Sequence, residues 1–344
     1  MHLLVIKTSS FGDILHAMPA LSDAARAVPG LKVDWLVEEA FAEIPRWHPH
    51  VAETIPVATR RWRHAPLAAL KELPALLRRL RRRRYDLVLD AQGLLRSALF
   101  AELAPGPTAG FDRASAREGV ASLFYGRRYA ADWSLHAVER QRRLFAGALR
   151  YEVPVGRADF GLQIEPAQVS TPYVVFCSEA SWPSKHWPLE YWQNLARRVA
   201  QAGLALRLPL AGEAQRARAE AIASVSSSVQ ILSTPRLADL ARLLAGARAV
   251  VAVDSGPAHL AAALGRPQIV LYGPTSAALH GTVGQDQTHL EVSFGCAPCY
   301  GRHCRYREPS AVTPACYGSL PPDRVWARLE PLLATPALGV GPGA

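Results

Sequence analysis

A carboxylate follows the first apolar segment of the chain, where a helix is predicted to begin. Leu3 to Lys7 is typical of a strand, Gly12 relaxes the turn, and Asp13 opens an amphipathic segment. A helix N-terminus and the nearby Lys7 both favour the ionised carboxylate, which suits a general base at neutral pH. The spacing leaves open that Asp13 only caps the helix. The backbone of Ser10 and Gly12 offers N–H groups to an anion, although a serine-rich turn is more often only a turn.

A second junction between a strand and a helix has the features of an anion site. The apolar segment 249–253 is followed by DSGP at 254–257, with Pro257 at the start of a helix. Unpaired N–H groups of the first turn and the helix dipole would bind a diphosphate there. His259 lies one turn further along the helix. It would either contact that ligand or have only a structural role.

A lysine in a later loop provides a third candidate contact to phosphate. Lys185 lies in the segment 178–188, which follows the first predicted strand of the second half of the chain. From that position it can reach a phosphate group. The alternative is that Trp187 anchors the core, Pro188 starts a helix and Lys185 is merely exposed.

Basic residues are concentrated between Ala58 and Arg84, where ten cations stand against the single acid Glu72, a local excess of +9. Such an excess suits a phosphorylated acceptor or an anionic membrane leaflet, although a run of charge is usually a solvated face. The later cations Arg117 and Arg140 are further candidates for the same ligand.

Four cysteines lie within 21 residues near the C-terminal end, in the pattern C-x2-C-x4-C-x11-C. This spacing permits a closed tetrahedral thiolate site for zinc or iron, which would have a structural role. The alternative is a set of reduced cysteines in a loop. The residues are Cys296, Cys299, Cys304 and Cys316.

Short apolar runs alternate with amphipathic stretches along the chain, and this βαβ pattern predicts parallel sheets covered by helices. Helices are expected to dominate between Leu94 and Arg150. The pattern restarts after residue 172, so we expect two doubly wound α/β domains, at 1–160 and 161–334, and a flexible tail at 335–344. Ligands of such sheets bind at the carboxyl ends of the strands, so we expect the active site in a cleft between the domains.

Composition excludes several classes of protein. With 344 residues, 49% of them hydrophobic and 20% charged, the chain can build two globular cores. It contains no apolar run long enough to span a membrane and no signal peptide, so a cytoplasmic location is expected. Signatures of P-loop proteins, classical dehydrogenases, zincins and α/β-hydrolases are missing. The net charge of +10 (39 minus 29) indicates an acidic partner; a nucleic acid is disfavoured because no aromatic-interleaved binding signature accompanies the arginines.

Several motifs occur together in an order that identifies a family. These are LVIKTSSFGDILHAMPAL, DWLVEE, RRWR, DAQGLLRSA, AREGVASLFY, HAVER, KHWP, VDSGPAHLAAAL and LYGPT, spread over about residues 1 to 290. The chain resembles the bacterial lipopolysaccharide heptosyltransferases, glycosyltransferase family nine.

The resemblance implies a GT-B fold and inverting transfer of L-glycero-D-manno-heptose from ADP-heptose to the inner Kdo of Kdo-lipid A, with no metal or other cofactor needed for catalysis. It implies a peripheral enzyme at the cytoplasmic face of the anionic inner membrane. It also implies that Asp13 is the general base. The implied donor contacts are Ala180, Ser181, Lys185, Gln215, Asp254, Ser255, Gly256 and His259. The implied acceptor contacts are Ser10, Gly12, Arg60, Arg61, Arg63, Arg117 and Arg140.

Three features depart from the family pattern. Ala180 and Ser181 stand where two threonines are common, and Gln215 stands where a glutamate often meets the nucleotide ribose. The cysteine cluster resembles loops of protein heptosyltransferases that modify autotransporters. The alternatives are therefore transfer to a heptosylated core or to an autotransporter protein, while RRWR and HAVER favour the Kdo acceptor.

Overall fold

The computed structural model describes residues 1–167 and 171–334. The chain divides into two compact units, Met1–Gln163 and Ile164–Ala344. The tail predicted at 335–344 lies outside the described residues.

The first unit is built on a six-stranded parallel sheet in the order β3-β2-β1-β4-β5-β6. Its strands are β1 (His2–Ile6), β2 (Lys32–Glu38), β3 (Val51–Val57), β4 (Leu87–Asp90), β5 (Thr108–Phe111) and β6 (Arg127–Tyr129). Its helices are α1 (Phe11–Ala27), α2 (Glu43–Arg46), α3 (Thr59–His64), α4 (Pro66–Leu80), α5 (Leu95–Leu103) and α6 (Ala137–Leu149). Short 3₁₀ helices lie at Glu39–Phe41 and Gly119–Phe124.

The second unit repeats this plan with the order β12-β11-β10-β7-β8-β9. Its strands are β7 (Tyr173–Cys177), β8 (Ala205–Leu210), β9 (Val229–Ser233), β10 (Ala249–Val253), β11 (Gln268–Tyr272) and β12 (Gln287–Glu291). Its helices are α7 (Leu189–Gln201), α8 (Arg216–Ala223), α9 (Leu237–Ala245), α10 (Gly256–Ala263), α11 (Ala277–His280) and α12 (Pro322–Ala334). Short 3₁₀ helices lie at Pro183–Lys185, Glu213–Gln215 and Ala315–Ser319.

Central strands of both sheets are continuous apolar runs because helices cover both faces. Residues 3–6 of β1 and all of β10 are buried. The predicted doubly wound α/β architecture is confirmed. Helices dominate between Leu94 and Arg150 as expected, but two short strands that were not predicted, β5 and β6, also lie there. These strands have only four and three residues, so neither carries a recognisable apolar pattern.

The register of the sheets brings distant loops together. In the first unit Ile6 of β1 pairs with Asp90 of β4, so the loops that follow these strands begin at the same edge. In the second unit Ala252 of β10 pairs with Cys177 of β7, and Val253 pairs with Leu271 of β11. In each sheet the order of strands reverses at this place, which is where open α/β sheets bind ligands.

None of the helices within the described residues has the length and apolarity that crossing a membrane requires.

Candidate active site

Asp13 lies in the first turn of α1, and its carboxylate is held in one orientation. The N-cap residue is Ser10, and Asp13 at the third helical position closes a capping box with it, so the alternative that Asp13 caps the helix is confirmed in part. Ser10 donates two hydrogen bonds to Asp13 Oδ2, one from its backbone N–H and one from its hydroxyl, both at 2.9 Å. The side chain keeps 27% of its exposure. The carboxylate is therefore fixed through one oxygen and remains accessible.

Positive charge surrounds this carboxylate. Burial alone would raise the pKa of Asp13, but the charges of Lys7 and His16 and the backbone hydrogen bond from Ser10 outweigh it, and the pKa lies below its usual range. Arg117 adds to this effect, with its Nη1 3.9 Å from Asp13 Oδ2. Asp13 is therefore a carboxylate at every physiological pH, able to accept a proton.

The loop between β1 and α1, which precedes Asp13, is hydrogen-bonded to the residues that follow β4. Gln92, which follows β4, accepts hydrogen bonds through Oε1 from the N–H groups of Thr8 and Ser9 at 3.1 and 3.2 Å. Lys7, which is buried, donates from Nζ to the carbonyl of Ala91 at 2.9 Å. The sequence predicted Lys7 as a neighbour of Asp13 but did not identify Gln92, whose partners lie more than eighty residues away.

Two of the predicted acceptor arginines lie in the surroundings of Asp13. Arg117 is exposed and contacts the carboxylate as described above. Arg140 is half-buried: its guanidinium stacks on Trp133 at 3.5 Å and donates to the carbonyls of Ala131 and Ser115. Burial first, and then the charge of Arg117, lower the pKa of Arg140. Arg140 therefore orders the loop before α6 and adds positive charge beside Arg117.

The remaining predicted acceptor arginines lie on α3, after β3. The guanidinium of Arg60 lies 4.9 Å from the Phe41 ring, which in turn contacts Phe11 beside Ser10, with 6.0 Å between the two ring centroids. Arg63 is exposed. Arg61 instead forms ion pairs with two acids, Glu39 at 3.0 Å and Glu72 at 2.7 Å. The structure thus connects Arg60 to the Asp13 region, whereas the charge of Arg61 is balanced within the protein.

In the second unit, Lys185 and Asp254 come together at the carboxyl ends of β7 and β10. Lys185 Nζ donates to Asp254 Oδ2 at 2.6 Å, and the ammonium also lies 4.9 Å from the Trp182 ring centroid. Thr275, which follows β11, donates its hydroxyl to the same oxygen at 2.6 Å. The sequence predicted Lys185 and Asp254 but missed Thr275, although it lies in the quoted LYGPT motif.

Positive charge also holds Asp254 ionised. Burial alone would raise its pKa, but the charges of Lys185 and His259, with the hydrogen bonds from Lys185 and Thr275, lower it. His259 Nε2 is 3.9 Å from Asp254 Oδ1. The arrangement fixes the direction of the Lys185 side chain.

The helix start predicted at Pro257 is confirmed by α10. Ser255 is the N-cap, Pro257 lies in the first turn, and the first-turn N–H groups of a helix are left unpaired by its geometry. Ser255 Oγ is buried and has no hydrogen-bond partner among the described residues. Ser255 and Gly256 thus lie beside the Lys185 and Asp254 pair, at the end of the same strand as Asp254.

Three further predicted donor contacts lie in loops at the same edge. Ala180 closes the loop after β7 through its backbone, which hydrogen-bonds His186 Nε2, and Ser181 is exposed. Gln215 lies after β8, and its Oε1 accepts from the N–H of Ala211 at 3.2 Å. Gln215 therefore shapes the turn after β8.

Comparison with known proteins decides the family. Residues 73–309 match the family model described as glycosyltransferase family 9 (heptosyltransferase). The chain belongs to the heptosyltransferases of glycosyltransferase family 9. It is 47% identical to lipopolysaccharide heptosyltransferase 1 of Pseudomonas aeruginosa over 98% of this chain and 99% of that protein.

Solved structures of this family agree. The Escherichia coli heptosyltransferase WaaC with ADP is 38% identical, has a TM-score of 0.86 and is matched over 96% of this chain and 100% of that one. The same enzyme with ADP-2-deoxy-2-fluoro heptose has a TM-score of 0.83 over 96% of this chain and 99% of that one. The predicted GT-B fold and heptosyltransferase activity are confirmed.

Four of the five cysteines of this heptosyltransferase, Cys296, Cys299, Cys304 and Cys316, line one cavity of about 440 Å³, with His303 among the other lining residues. The pKa of Cys316 is raised to about 11 by burial first, and then by electrostatic interaction with the other three cysteines of the cavity. No group of three or more His, Cys, Asp or Glu side chains within 1–167 and 171–334 is arranged to hold a metal ion. The spacing correctly indicated that the cysteines cluster. The structural zinc or iron site on Cys296, Cys299, Cys304 and Cys316 stays a prediction.

The segment that contains these cysteines instead supports the loop of Lys185. Tyr317 donates from its hydroxyl to the Lys185 carbonyl at 2.9 Å, and Ser184 Oγ donates to the Gly301 carbonyl at 2.6 Å. The Tyr317 ring also fills the space over Gly273, where an added Cβ would lie 2.5 Å from its hydroxyl oxygen. Tyr317 thus joins the loops after β7 and β11 in this heptosyltransferase.

Proposed function

We propose that this heptosyltransferase transfers L-glycero-D-manno-heptose from ADP-heptose to the inner Kdo of Kdo-lipid A, in synthesis of the lipopolysaccharide inner core. The observation that carries the proposal is the 47% identity, along almost the whole chain, to a lipopolysaccharide heptosyltransferase 1. An ionised, accessible carboxylate at Asp13 supplies the base that such a transfer requires.

The donor is assigned to the second unit. Lys185, oriented by Asp254 and Thr275, binds the diphosphate together with the N-terminal end of α10 at Ser255 and Gly256. His259 adds a donor beside the heptose or the diphosphate. Ala180, Ser181 and Gln215 line the nucleotide side of the same edge.

The acceptor is assigned to the first unit. Arg117 and Arg140 beside Asp13, and Arg60 and Arg63 on α3, attract the carboxylates and phosphates of Kdo-lipid A. Ser10 holds the base in place, and Gly12 lets the backbone come close to the sugar. Arg61 contributes less, because Glu39 and Glu72 already balance its charge.

The transfer proceeds by inversion in one displacement. The acceptor hydroxyl oxygen forms a bond to the anomeric carbon while the bond from that carbon to the ADP oxygen breaks on the opposite face. Asp13 takes the proton of the hydroxyl, and ADP leaves with the bonding electrons, stabilised by Lys185 and the α10 dipole. Because the pKa of Asp13 is low, the proton moves as the new bond forms and the hydroxyl becomes acidic.

The reaction as proposed requires no metal or organic cofactor, because cationic side chains and a helix N-terminus stabilise the leaving diphosphate. Turnover is therefore expected to be the same with and without a chelator such as EDTA.

The enzyme works at the cytoplasmic face of the inner membrane. Arg78 and the run Arg81 to Arg84 are exposed at the end of α4 and favour an anionic leaflet. Folding reduces the local excess of charge, since Glu53 lies 2.6 Å from Arg79 and 3.6 Å from Arg83. Removing the charges of Arg78, Arg81 and Arg82 is expected to weaken binding to anionic vesicles, most strongly at low salt; unchanged binding would exclude this role.

An acceptor panel tests the proposal. The purified protein is incubated with ADP-heptose and, separately, Kdo-lipid A, a heptosylated core and an autotransporter passenger protein. Heptose transfer to Kdo-lipid A alone is expected, and transfer to either of the others alone would overturn the assignment.

The donor site has its own measurement. Lys185→Ala is expected to weaken ADP binding in calorimetry by about tenfold or more, because a charge-assisted contact is lost. Lys71→Ala, an exposed lysine on α4, is the matched control.

A further inference from the structure

A compact group of apolar side chains is exposed on the first unit. Leu95 and Leu99 lie on α5, and Val120 and Leu123 lie on the 3₁₀ helix Gly119–Phe124. Their exposed fractions are 37%, 47%, 48% and 66%. We call these four residues the apolar patch.

The two helices that carry the patch pack against each other. Ala98 of α5 is buried in a cluster with Ala121 and Tyr125, so the helices pack through their small residues. Leu95 and Leu99 are four apart and share one side of α5. Val120 and Leu123 are three apart and share one side of the 3₁₀ helix. Both pairs lie on the solvent-exposed sides of their helices, outside the contact between the two helices.

The apolar patch is continuous with the surroundings of Asp13. The N–H of Leu95 donates to Glu118 Oε2 at 2.7 Å, and the N–H of Glu118 donates to the carbonyl of Gly93 at 2.9 Å. The residue before Glu118 is Arg117, whose guanidinium reaches Asp13. A molecule that contacts Arg117 therefore lies beside the patch.

Positive charge accompanies the apolar surface. Arg113, Arg117, Arg127 and Arg128 are all exposed on the segment that contains or flanks the 3₁₀ helix. The acid in the same segment, Glu118, is engaged by the backbone of Leu95. Exposed apolar side chains among arginines are the combination that binds the interface of an anionic bilayer, with arginines at the head groups and leucines in the acyl region.

We propose that the apolar patch enters the acyl region of the anionic bilayer that carries the lipid-linked acceptor, and so delivers the acceptor sugar to Asp13. This inference rests on the proposed function, which places the acceptor on a lipid. It is distinct from electrostatic docking by the end of α4, because it depends on apolar contact that salt does not screen.

Vesicle binding tests the apolar contact directly. The double variant Leu99→Ser, Leu123→Ser keeps every charge and is compared with wild type by co-sedimentation with vesicles of phosphatidylethanolamine and phosphatidylglycerol at 0.5 M NaCl. We expect the partition coefficient to fall by about tenfold or more, since two exposed leucines lose their burial in the acyl region. Binding equal to wild type would overturn the proposal.

A matched pair of single variants locates the effect. Leu123→Ser and Val155→Ser each remove one exposed apolar side chain of the first unit without changing charge. Only Leu123→Ser is expected to weaken vesicle binding; equal loss in both would overturn the assignment to this surface. If sedimentation velocity instead showed that Leu123→Ser dissociates a wild-type dimer while vesicle binding is unchanged, the patch would be an interface between copies.

An activity measurement separates the inference from the proposed function. The double variant is expected to lose about tenfold in kcat/KM on acceptor held in vesicles and to keep wild-type kcat/KM on the de-acylated, water-soluble acceptor. Equal losses on both would contradict membrane delivery. If wild type used neither acceptor, the proposed function would be wrong. The vesicle-binding experiment would then be the only test of whether the apolar patch enters the bilayer.

Discussion

At the scale of single residues, the chemistry depends on how charges are placed around two carboxylates. Asp13 and Asp254 each follow a central strand, and positive neighbours lower the pKa of each against the effect of burial. The roles that we propose for these two carboxylates differ because the solvent exposure of their side chains differs. Asp13 is 27% exposed and can meet a substrate, whereas Asp254 is buried and holds Lys185.

Lys7 controls the proton affinity of Asp13. Its charge is the strongest factor that lowers the pKa of Asp13. Lys7→Met removes that charge, so the pKa of Asp13 rises and the base is protonated at a higher pH. The acid limb of the pH profile of kcat/KM is therefore expected to move to higher pH than in wild type.

The pH profile is measured for wild type, Lys7→Met and Lys7→Arg, with the exposed Lys71→Met as control. Lys7→Arg, which keeps the charge, should follow wild type more closely. Superimposable profiles for wild type and Lys7→Met would exclude this role of Lys7.

Tyr317 positions the loop of Lys185. Tyr317→Phe keeps the ring over Gly273 but removes the hydrogen bond to the Lys185 carbonyl. A hydrogen bond of this kind contributes about 0.5–1.5 kcal/mol, so we expect KM for ADP-heptose to rise about two- to tenfold with kcat nearly unchanged. Steady-state kinetics with Tyr306→Phe, an exposed tyrosine, as control measures the effect. A fall in kcat without a change in KM would contradict this assignment.

At the scale of elements, the sites are assembled by parallel strands whose ends coincide. The pairing of β1 with β4 brings Gln92 to the loop of Asp13, and that of β10 with β11 brings Thr275 to Asp254. Loops held by their neighbours in this way need little rearrangement when a ligand binds.

Asp90 and Tyr125 connect three elements of the first unit. Tyr125 donates to Asp90 Oδ2 at 2.6 Å, and its ring packs on Gly110 of β5. Burial raises the pKa of Asp90, because its carboxylate is removed from water. Loss of the hydrogen bond from Tyr125 is therefore expected to destabilise the folded state. Tyr125→Phe is expected to lower the free energy of unfolding by about 1–3 kcal/mol in urea titrations. The exposed Tyr300→Phe should have no such effect, and equal stability of both variants would refute this role.

The sequence predicted the elements with long apolar or amphipathic patterns and missed those without them. The run AVVAV of β10 is a fully buried strand and was found, whereas RRY of β6 has two exposed arginines at the edge of the sheet and was not. Edge strands have one neighbour and less burial, so their sequences carry little signal.

The same limit applies to the site. Asp13, Lys185 and Asp254 could be predicted because each lies in one local motif. The ion pair of Arg61 with Glu39 could not be predicted, because Glu39 becomes a neighbour of Arg61 only when β2 and β3 pair. The cysteine spacing predicted a cluster, which the fold confirms, whereas the metal site on that cluster stays a prediction.

At the scale of the whole molecule, the proposed binding of the acceptor and the proposed binding of the donor are assigned to different units. The proposed base and the proposed acceptor arginines lie in Met1–Gln163, and the loops proposed to bind the donor lie in Ile164–Ala344. The net charge of +10 gives the molecule a general attraction to anions.

That attraction is expected to be unspecific for nucleic acids. Because no aromatic-interleaved binding signature accompanies the arginines in the sequence, binding to random oligonucleotides should be weak at physiological salt and should fall steeply as salt increases. Fluorescence anisotropy at two salt concentrations measures this. Tight, sequence-specific binding at physiological salt would contradict the assignment of the arginines to a lipid-linked acceptor.

The most direct test of the account is mass spectrometry of Kdo-lipid A after incubation with ADP-heptose and either wild type or Asp13→Asn. We expect a gain of one heptose with wild type and a rate at least about a hundredfold lower with Asp13→Asn, which keeps the shape of the side chain but cannot take the proton. ADP affinity should be equal in both, which shows that the donor site is intact. Heptose transfer by Asp13→Asn at the wild-type rate would contradict the account.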